Sequence, residues 1–385
     1  MNLGLLNGSI TSVVAIDADF ETVRFYAKAK NDKNYTLLSE VYKDKPFTED
    51  FYEKLKTISK KHSESTANFS KTALVLADNL FFSDTVKIPV IQKKAMENSL
   101  KLAIDALYKS SRDLKIKTLL LGQNKQTATY NVMGIKKEFL LRTLHALSQG
   151  GISVSAVTFN SASTVAGAMQ LTPKLKTESF LLIDVKKHLT KYCLVLNGKT
   201  IGFYTLPFGY SILRADKIFD ETELFDHSAS NLIVLNSKER AKNKQLTTIE
   251  IEEVQTVSEE FDEEETSQPV KANFTITKSG KKLPKFMQRE ILETEDGIYY
   301  ENFRIFVKWA LEILKSNDDL TAYTKPKTVY VNLPQKYNNA IAMINKEETG
   351  IEFSTLPQSK DNFIKENLDL LGGMAIKKYS SHNRF

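Results

Sequence analysis

An apolar strand ending in aspartate, a short turn and a second strand occur twice in this sequence, and that repeat limits the folds open to it. The first copy is Ser12-Val-Val-Ala-Ile16 followed by Asp17, with Thr22-Val-Arg-Phe-Tyr-Ala27 as partner. The second is Phe180-Leu-Leu-Ile followed by Asp184, with Thr190-Lys-Tyr-Cys-Leu-Val-Leu196 as partner. Runs this apolar are buried on both faces, as in α/β layer packing. Each copy gains a third strand. Residues 35–42 supply it in the first. In the second, Asn197-Gly198 is a two-residue hairpin signal, which predicts a strand over 199–207. A helix over 48–61 and a buried strand over 72–77 follow the first copy.

Between the copies the pattern predicts a small unit at about 79–148. Residues 82–89 read as an extended segment ending at Pro89, since the residue before proline avoids helix. A helix over 92–108 would turn Met96, Leu100, Ala103 and Leu107 inward. Strands over 116–121 and 127–132 come next, then a helix from 136 to 147 with Leu140, Leu144 and Leu147 inward, stopped at Gly150-Gly151. A strand over 152–159 and a helix over 161–171 close the first half. The second half adds a helix over 303–314, a strand over 328–332 and a closing helix over 362–376, interrupted or capped at Gly372-Gly373. Two lobes are therefore predicted, 1–175 and 176–385, with the small unit inserted in the first.

Composition excludes several function classes. The only cysteine, Cys193, cannot pair within the chain, and its mid-strand position predicts a core residue rather than a nucleophile. The five histidines are too scattered for zinc spacing. No apolar run approaches the ~20 residues that cross a bilayer, and the N-terminal residues lack a signal-peptide pattern. A soluble, cytoplasmic protein is expected. The net charge of +6 does not call for nucleic acid. Residues 250–265 hold nine acidic side chains and no Lys or Arg, flanked by lysine-rich stretches, so a flexible acidic insertion at about 237–285 is expected in the second lobe.

Two Asp-ended strands in a duplicated α/β chain resemble the actin-like ATPase superfamily, with its ribonuclease H-like lobes. Within it the chain is most similar to the branch of the type IV pilus assembly protein PilM and of FtsA. The carriers are Val14-Ala-Ile-Asp17 with Val23-Arg24, Val86-Lys-Ile-Pro89, Ile135-Lys-Lys-Glu138 and Gly150-Gly-Ile-Ser-Val-Ser-Ala-Val157. Further ones are Leu182-Ile-Asp184 through Asn197-Gly-Lys199, and Leu206-Pro-Phe-Gly209-Tyr-Ser-Ile212. The small unit falls where that branch places its own subdomain.

This resemblance implies a nucleotide site built on Asp17, Arg24, Asp184 and Thr190, with magnesium near the aspartates. The family's phosphate- and adenosine-facing glycines are replaced here, by Asp19, by Lys186 and at Asn332-Leu333. A side chain then stands where backbone would approach the ligand, so the site is expected to be a vestige, with ATP and magnesium still conceivable. Lys186, Lys187 and His188 are expected to form a solvated basic hairpin. Gly372-Gly373 should serve helix packing, and the basic end Lys377-Lys378 to Arg384 lacks the apolar stripe of a membrane-lying helix. The function implied is a scaffold at the inner face of the cell membrane, in a pilus-like or secretion machine. It would bind the cytoplasmic peptide of a PilN-like inner-membrane partner, and self-association is possible. The alternatives are an active Mg-ATP ATPase or kinase, or an FtsA-like cell-division adaptor.

Overall fold

A computed structural model describes residues 10–17, 22–28, 35–41, 48–65, 69, 71–108, 111–206, 208–214, 295–316, 322–344, 346–356, 367–378 and 384–385. The acidic stretch 250–265 and Asp19 lie outside the described residues.

The repeat seen in the sequence is a repeat of topology. Strands β1 (Ser12–Asp17), β2 (Thr22–Lys28), β3 (Tyr35–Val41), β4 (Thr72–Leu76) and β8 (Val154–Phe159) form one sheet in the order β3-β2-β1-β4-β8. Strands β9 (Phe180–Val185), β10 (Thr190–Leu196), β11 (Lys199–Leu206), β12 (Thr328–Asn332) and β13 (Glu352–Thr355) form a second, in the order β11-β10-β9-β12-β13. Each sheet pairs its first three strands antiparallel and its last two parallel. The β10–β11 turn takes positive φ at both Asn197 (48°) and Gly198 (70°), the mirror-image turn that matches strand twist.

Alternation along the buried strands divides the core into layers. Val14 and Ile16 of β1 pack outward with α1 (Glu49–Ser65) and α3 (Lys137–Gln149), while Val13 and Ala15 face α4 (Asn160–Leu171). The same middle layer takes Leu182, Cys193 and Val195 from the second sheet, so α4 and the closing helix Leu368–Ala375 lie between the two sheets. On the far side, Leu181, Ile183 and Val185 pack against Phe303, Phe306 and Ala310 of the long helix Glu295–Ser316. Thr48 begins α1, its hydroxyl accepting the Phe51 N–H, and Glu49 and Asp50 favour the positive end of the helix dipole.

The inserted unit is a three-stranded antiparallel sheet, β5 (Phe81–Pro89), β6 (Leu114–Gln123) and β7 (Thr127–Lys136), in the order β5-β7-β6, covered by α2 (Lys93–Leu107). It leans on the second lobe. Ser83 Oγ and Asn131 Nδ2 donate to the Ile201 carbonyl at 2.7 and 2.9 Å, Thr129 Oγ1 meets the Tyr323 hydroxyl at 2.8 Å, and Leu119 and Leu121 pack on the second-lobe core.

Several expectations are corrected. Leu107 is 38% exposed rather than inward, because Tyr108 takes the last place on that stripe: its ring packs on Phe82 and its hydroxyl donates to Asp84. Ile104 is the buried residue of α2. Strand β7 runs past Val132 to Lys136, because its pairing with β5 continues to Phe81–Ile135 and that with β6 to Leu114–Lys136. The closing helix starts at Leu368, residues 357–366 lying outside the described ones, and Gly372 and Gly373 sit inside it without ending it. Among the described residues, no helix is long and apolar enough to cross a membrane.

Candidate functional site

Parallel strands bring their carboxyl ends to one edge, which is where α/β sheets place ligands. Here that edge gathers Asp17 at the end of β1, Asp78 just beyond β4, Asn160 just beyond β8, Asp184 on β9 and Asn332 on β12. Register sets the last pair, since Asn332 stands beside Asp184 across the β9–β12 ladder and donates Nδ2–H to Asp184 Oδ1 at 2.7 Å. All five residues are buried.

Arg24 is the centre of the first-lobe half. Its guanidinium donates to both carboxylate oxygens of Asp369, to Asn367 Oδ1 at 3.3 Å and to Asp17 Oδ2 at 3.5 Å. Asp369 accepts a further bond from Asn160 Nδ2 at 3.1 Å, and its backbone carbonyl accepts from Ser163 Oγ at 2.6 Å. A forked, two-oxygen arginine–carboxylate pair is the strong form of such contacts. Asp78 accepts from the Ser161 N–H at 2.8 Å and hydroxyl at 2.7 Å, with Lys191 Nζ 3.6 Å away. Lys186 Nζ lies 3.4 Å from Asp184 Oδ2. Among the described residues, each of the three cations in the cleft therefore already has a carboxylate beside it.

The four residues expected in the site do not all converge. Asp17 and Arg24 meet, and Asp184 lies on the opposite wall with Lys186 and Asn332. Thr190 faces away: its hydroxyl donates to the Phe208 carbonyl at 2.7 Å and so fastens the hairpin to the segment after β11. The basic hairpin expected to be solvated is so only in part, since Lys187 and His188 are exposed while Lys186 turns inward. Cys193 is buried in the middle layer, and burial pushes its thiol up, so it stays protonated.

Asp369, Asp78 and Lys191 were not anticipated. The sequence does carry a signal for them: each is a lone charge in an apolar run, as in Leu368-Asp369-Leu370-Leu371 or Thr190-Lys191-Tyr192-Cys193. A charge so placed is buried and must find a partner.

The two carboxylates on Arg24 respond to it differently. Burial pushes Asp17 up from its ordinary value; Lys191 and Arg24 draw it back in part, while Asp369 and Asp78 add to the rise. Among the described residues, its Oδ1 has no hydrogen-bond partner. Burial would raise Asp369 too, but Arg24 and Lys186 outweigh it and hold that carboxyl well below the usual range. The stability consequences have opposite signs. Asp369 stabilises the fold above about pH 4 and loses that effect as pH falls. Asp17 costs stability as pH rises from the ordinary carboxylate value to its raised one, because the unfolded chain gives up the proton first. Asp17→Asn is therefore expected to stabilise the protein at pH 7. The gain should shrink as pH falls to about 4, the ordinary carboxylate value, where the folded and unfolded chains both hold the proton. Urea midpoints at the two pH values check this, and an equal effect at both would refute it.

No family model matches the chain, and no curated protein matches it. Solved structures do. A chain of the PilM–PilN type IV pilus biogenesis complex aligns with a TM-score of 0.53 at 11% identity, covering 96% of this chain and 98% of that one. The cytoplasmic domain of EpsL, an inner-membrane component of the type II secretion system of Vibrio cholerae, aligns with a TM-score of 0.35 at 14% identity, over 56% of this chain and 79% of that domain. A Bacteroides thetaiotaomicron protein of actin-like ATPase fold and unknown function aligns at 0.38 and 8% identity, over 97% and 99%. With its two sheets of identical strand order and its agreement along nearly the whole PilM–PilN chain, this protein has the duplicated actin-like fold.

Proposed function

We propose that this protein is an actin-like scaffold of a pilus-like or secretion machine, which holds the cytoplasmic segment of an inner-membrane partner and does not turn over nucleotide. The observation that carries the second half is the pairing of every cleft cation among the described residues. Arg24, Lys191 and Lys186 stand against Asp369, Asp78 and Asp184, and Asp17 adds a fourth carboxylate. Such a site is already neutralised from within. A triphosphate entering it would meet like charge at four carboxylates and would have to break buried ion pairs to win its own. The unpartnered Asp17 Oδ1 could satisfy a cation. Magnesium needs only one or two carboxylates beside the phosphates, so it is the internal pairing of the cleft's charges that disfavours Mg-ATP here. The first half of the proposal draws its support from the fold shared with the PilM–PilN chain, a protein solved with a partner.

The test has two arms. In a thermal-shift measurement, millimolar Mg-ATP should leave the melting temperature unchanged. A ligand at about one hundred times its dissociation constant would instead stabilise by about 2.7 kcal/mol, and a shift of that order would return the site to the active-ATPase reading. In detergent-solubilised membranes, the tagged protein should recover one bitopic inner-membrane protein whose isolated cytoplasmic segment binds it directly. Failure of direct binding would remove the scaffold reading.

A further inference from the structure

Lys191 is 1% exposed, on a strand paired on both sides within the second sheet. Alternation along β10 decides where it points. Tyr192 and Leu194 join the core on the far side of the sheet, while Cys193 and Val195 join the middle layer with α4, and Lys191 shares their face. Register places it beside Asp184, so its charge enters the interval between the lobes at the cleft end.

There it meets the first lobe. Its Nζ lies 3.6 Å from Asp78 Oδ2, just beyond β4, and Ser161 at the start of α4 fixes that carboxylate through its N–H and its hydroxyl. Of the charges that draw the Asp17 carboxyl back from its raised value, Lys191 acts most strongly. The Ser161 hydroxyl bears on the Cys193 thiol as well, so the contact between the lobes runs from the cleft floor into the middle layer. Arg24 stands on Asp17 and Asp369, and Lys186 on Asp184, whereas Lys191 carries a second-lobe charge onto a first-lobe carboxylate.

We infer that Lys191 is a latch between the lobes, which keeps the cleft closed by placing a second-lobe cation on Asp78 and Asp17 of the first lobe. Closure is then set by charge within the chain, with no need of a bound nucleotide. The reason is the balance of formal charge. Among the described residues the cleft holds four carboxylates and three cations. Without Lys191, four carboxylates would share two cations at a site too dry to screen them, and opening to water would relieve the repulsion. The latch goes beyond the scaffold reading, which concerns what the protein binds.

The test reads Cys193, the only cysteine of the chain, which is buried in the layer that opening would expose. A thiol so buried does not react, and labelling by a thiol reagent in native buffer therefore reports opening. In the wild type, labelling should require global unfolding and show its full dependence on urea. In Lys191→Met, labelling without urea should be at least about tenfold faster, with the weak urea dependence of an opening that exposes little surface. Lys191→Gln, a milder change that keeps a donor for Asp78, should act in the same direction. Adding Asp78→Asn to Lys191→Met should slow labelling again, because the excess of carboxylates over cations falls from two to one. Leu55→Ala, in the first-lobe core away from the cleft, should speed labelling only as far as it lowers global stability. Unchanged labelling in both Lys191 variants, acceleration that merely follows global unfolding, or no slowing by Asp78→Asn overturns the inference. None of these outcomes depends on a membrane partner or on nucleotide, so the latch and the scaffold reading fail separately.

Discussion

Asp369→Ala should lower stability by about 3–5 kcal/mol, the cost of breaking a buried ion pair from one side. The size follows from what the carboxylate holds. It accepts both arms of Arg24 from β2 and Nδ2 of Asn160 at the start of α4. Both are packed where water cannot replace the lost partner, Arg24 being 16% exposed and Asn160 4%. Without Asp369, the one carboxylate left in contact with Arg24 among the described residues would be Asp17, 3.5 Å away and displaced toward its neutral form by burial, with Asp184 acting from farther off. A buried, half-compensated guanidinium is the outcome. The pair itself need not be net stabilising against an apolar replacement. Arg24→Leu combined with Asp369→Leu should therefore recover much of the loss, whereas Arg24→Leu alone should not. Urea unfolding of the three variants checks this. A loss below about 1 kcal/mol for Asp369→Ala would mean that water reaches the pair, as at surface bridges.

That cluster marks where sequence reasoning stopped. The repeat was legible because it rests on local chemistry. Alternation and apolar runs marked β1, β2, β9 and β10, and Asn197-Gly198 allowed one turn type. Thr190–Leu196 and Thr328–Asn332 match their expected spans residue for residue. What failed depended on pairing over long sequence distances. Strand β7 continues to Lys136 because β5 and β6 both offer partners there, and nothing in residues 133–136 alone announces it. Asp17 and Asp184 could be picked out because each stands at the end of a recognisable strand. Asp369 could not be, because its partner Arg24 is more than three hundred residues away in sequence and only the fold brings the closing helix to β2. Thr190 was assigned to the site by its position in the hairpin, but position does not fix where a hydroxyl points. The carbonyl of Phe208 decided that.

Gly372→Ala should destabilise at or beyond the upper end of the 1–3 kcal/mol typical of overpacking, and far more than Gly373→Ala next to it. The closing helix and α4 cross at these glycines, backbone against backbone. A Cβ on Gly372 would stand 1.6 Å from the Ser163 carbonyl oxygen and 2.6 Å from the Gly167 nitrogen. Neither atom is the end of a flexible side chain, so the two helices must separate. The middle layer has no room for that, being filled from both sides by Val13 and Val75 of the first sheet and Leu182 and Val195 of the second. Separation would also draw Asp369 away from Ser163 and Asn160 and so reach the ion-pair cluster. A Cβ on Gly373 meets only the methyl groups of Val13 and Val75, at 3.0–3.2 Å, which can shift by a few tenths of an ångström. Thermal or urea unfolding of the two alanine variants separates the cases. Comparable losses would show that the crossing is soft. A selective loss at Gly372 would show that the interval between the two lobes is set by backbone contact, with the Arg24–Asp369 pair held at the distance that contact allows.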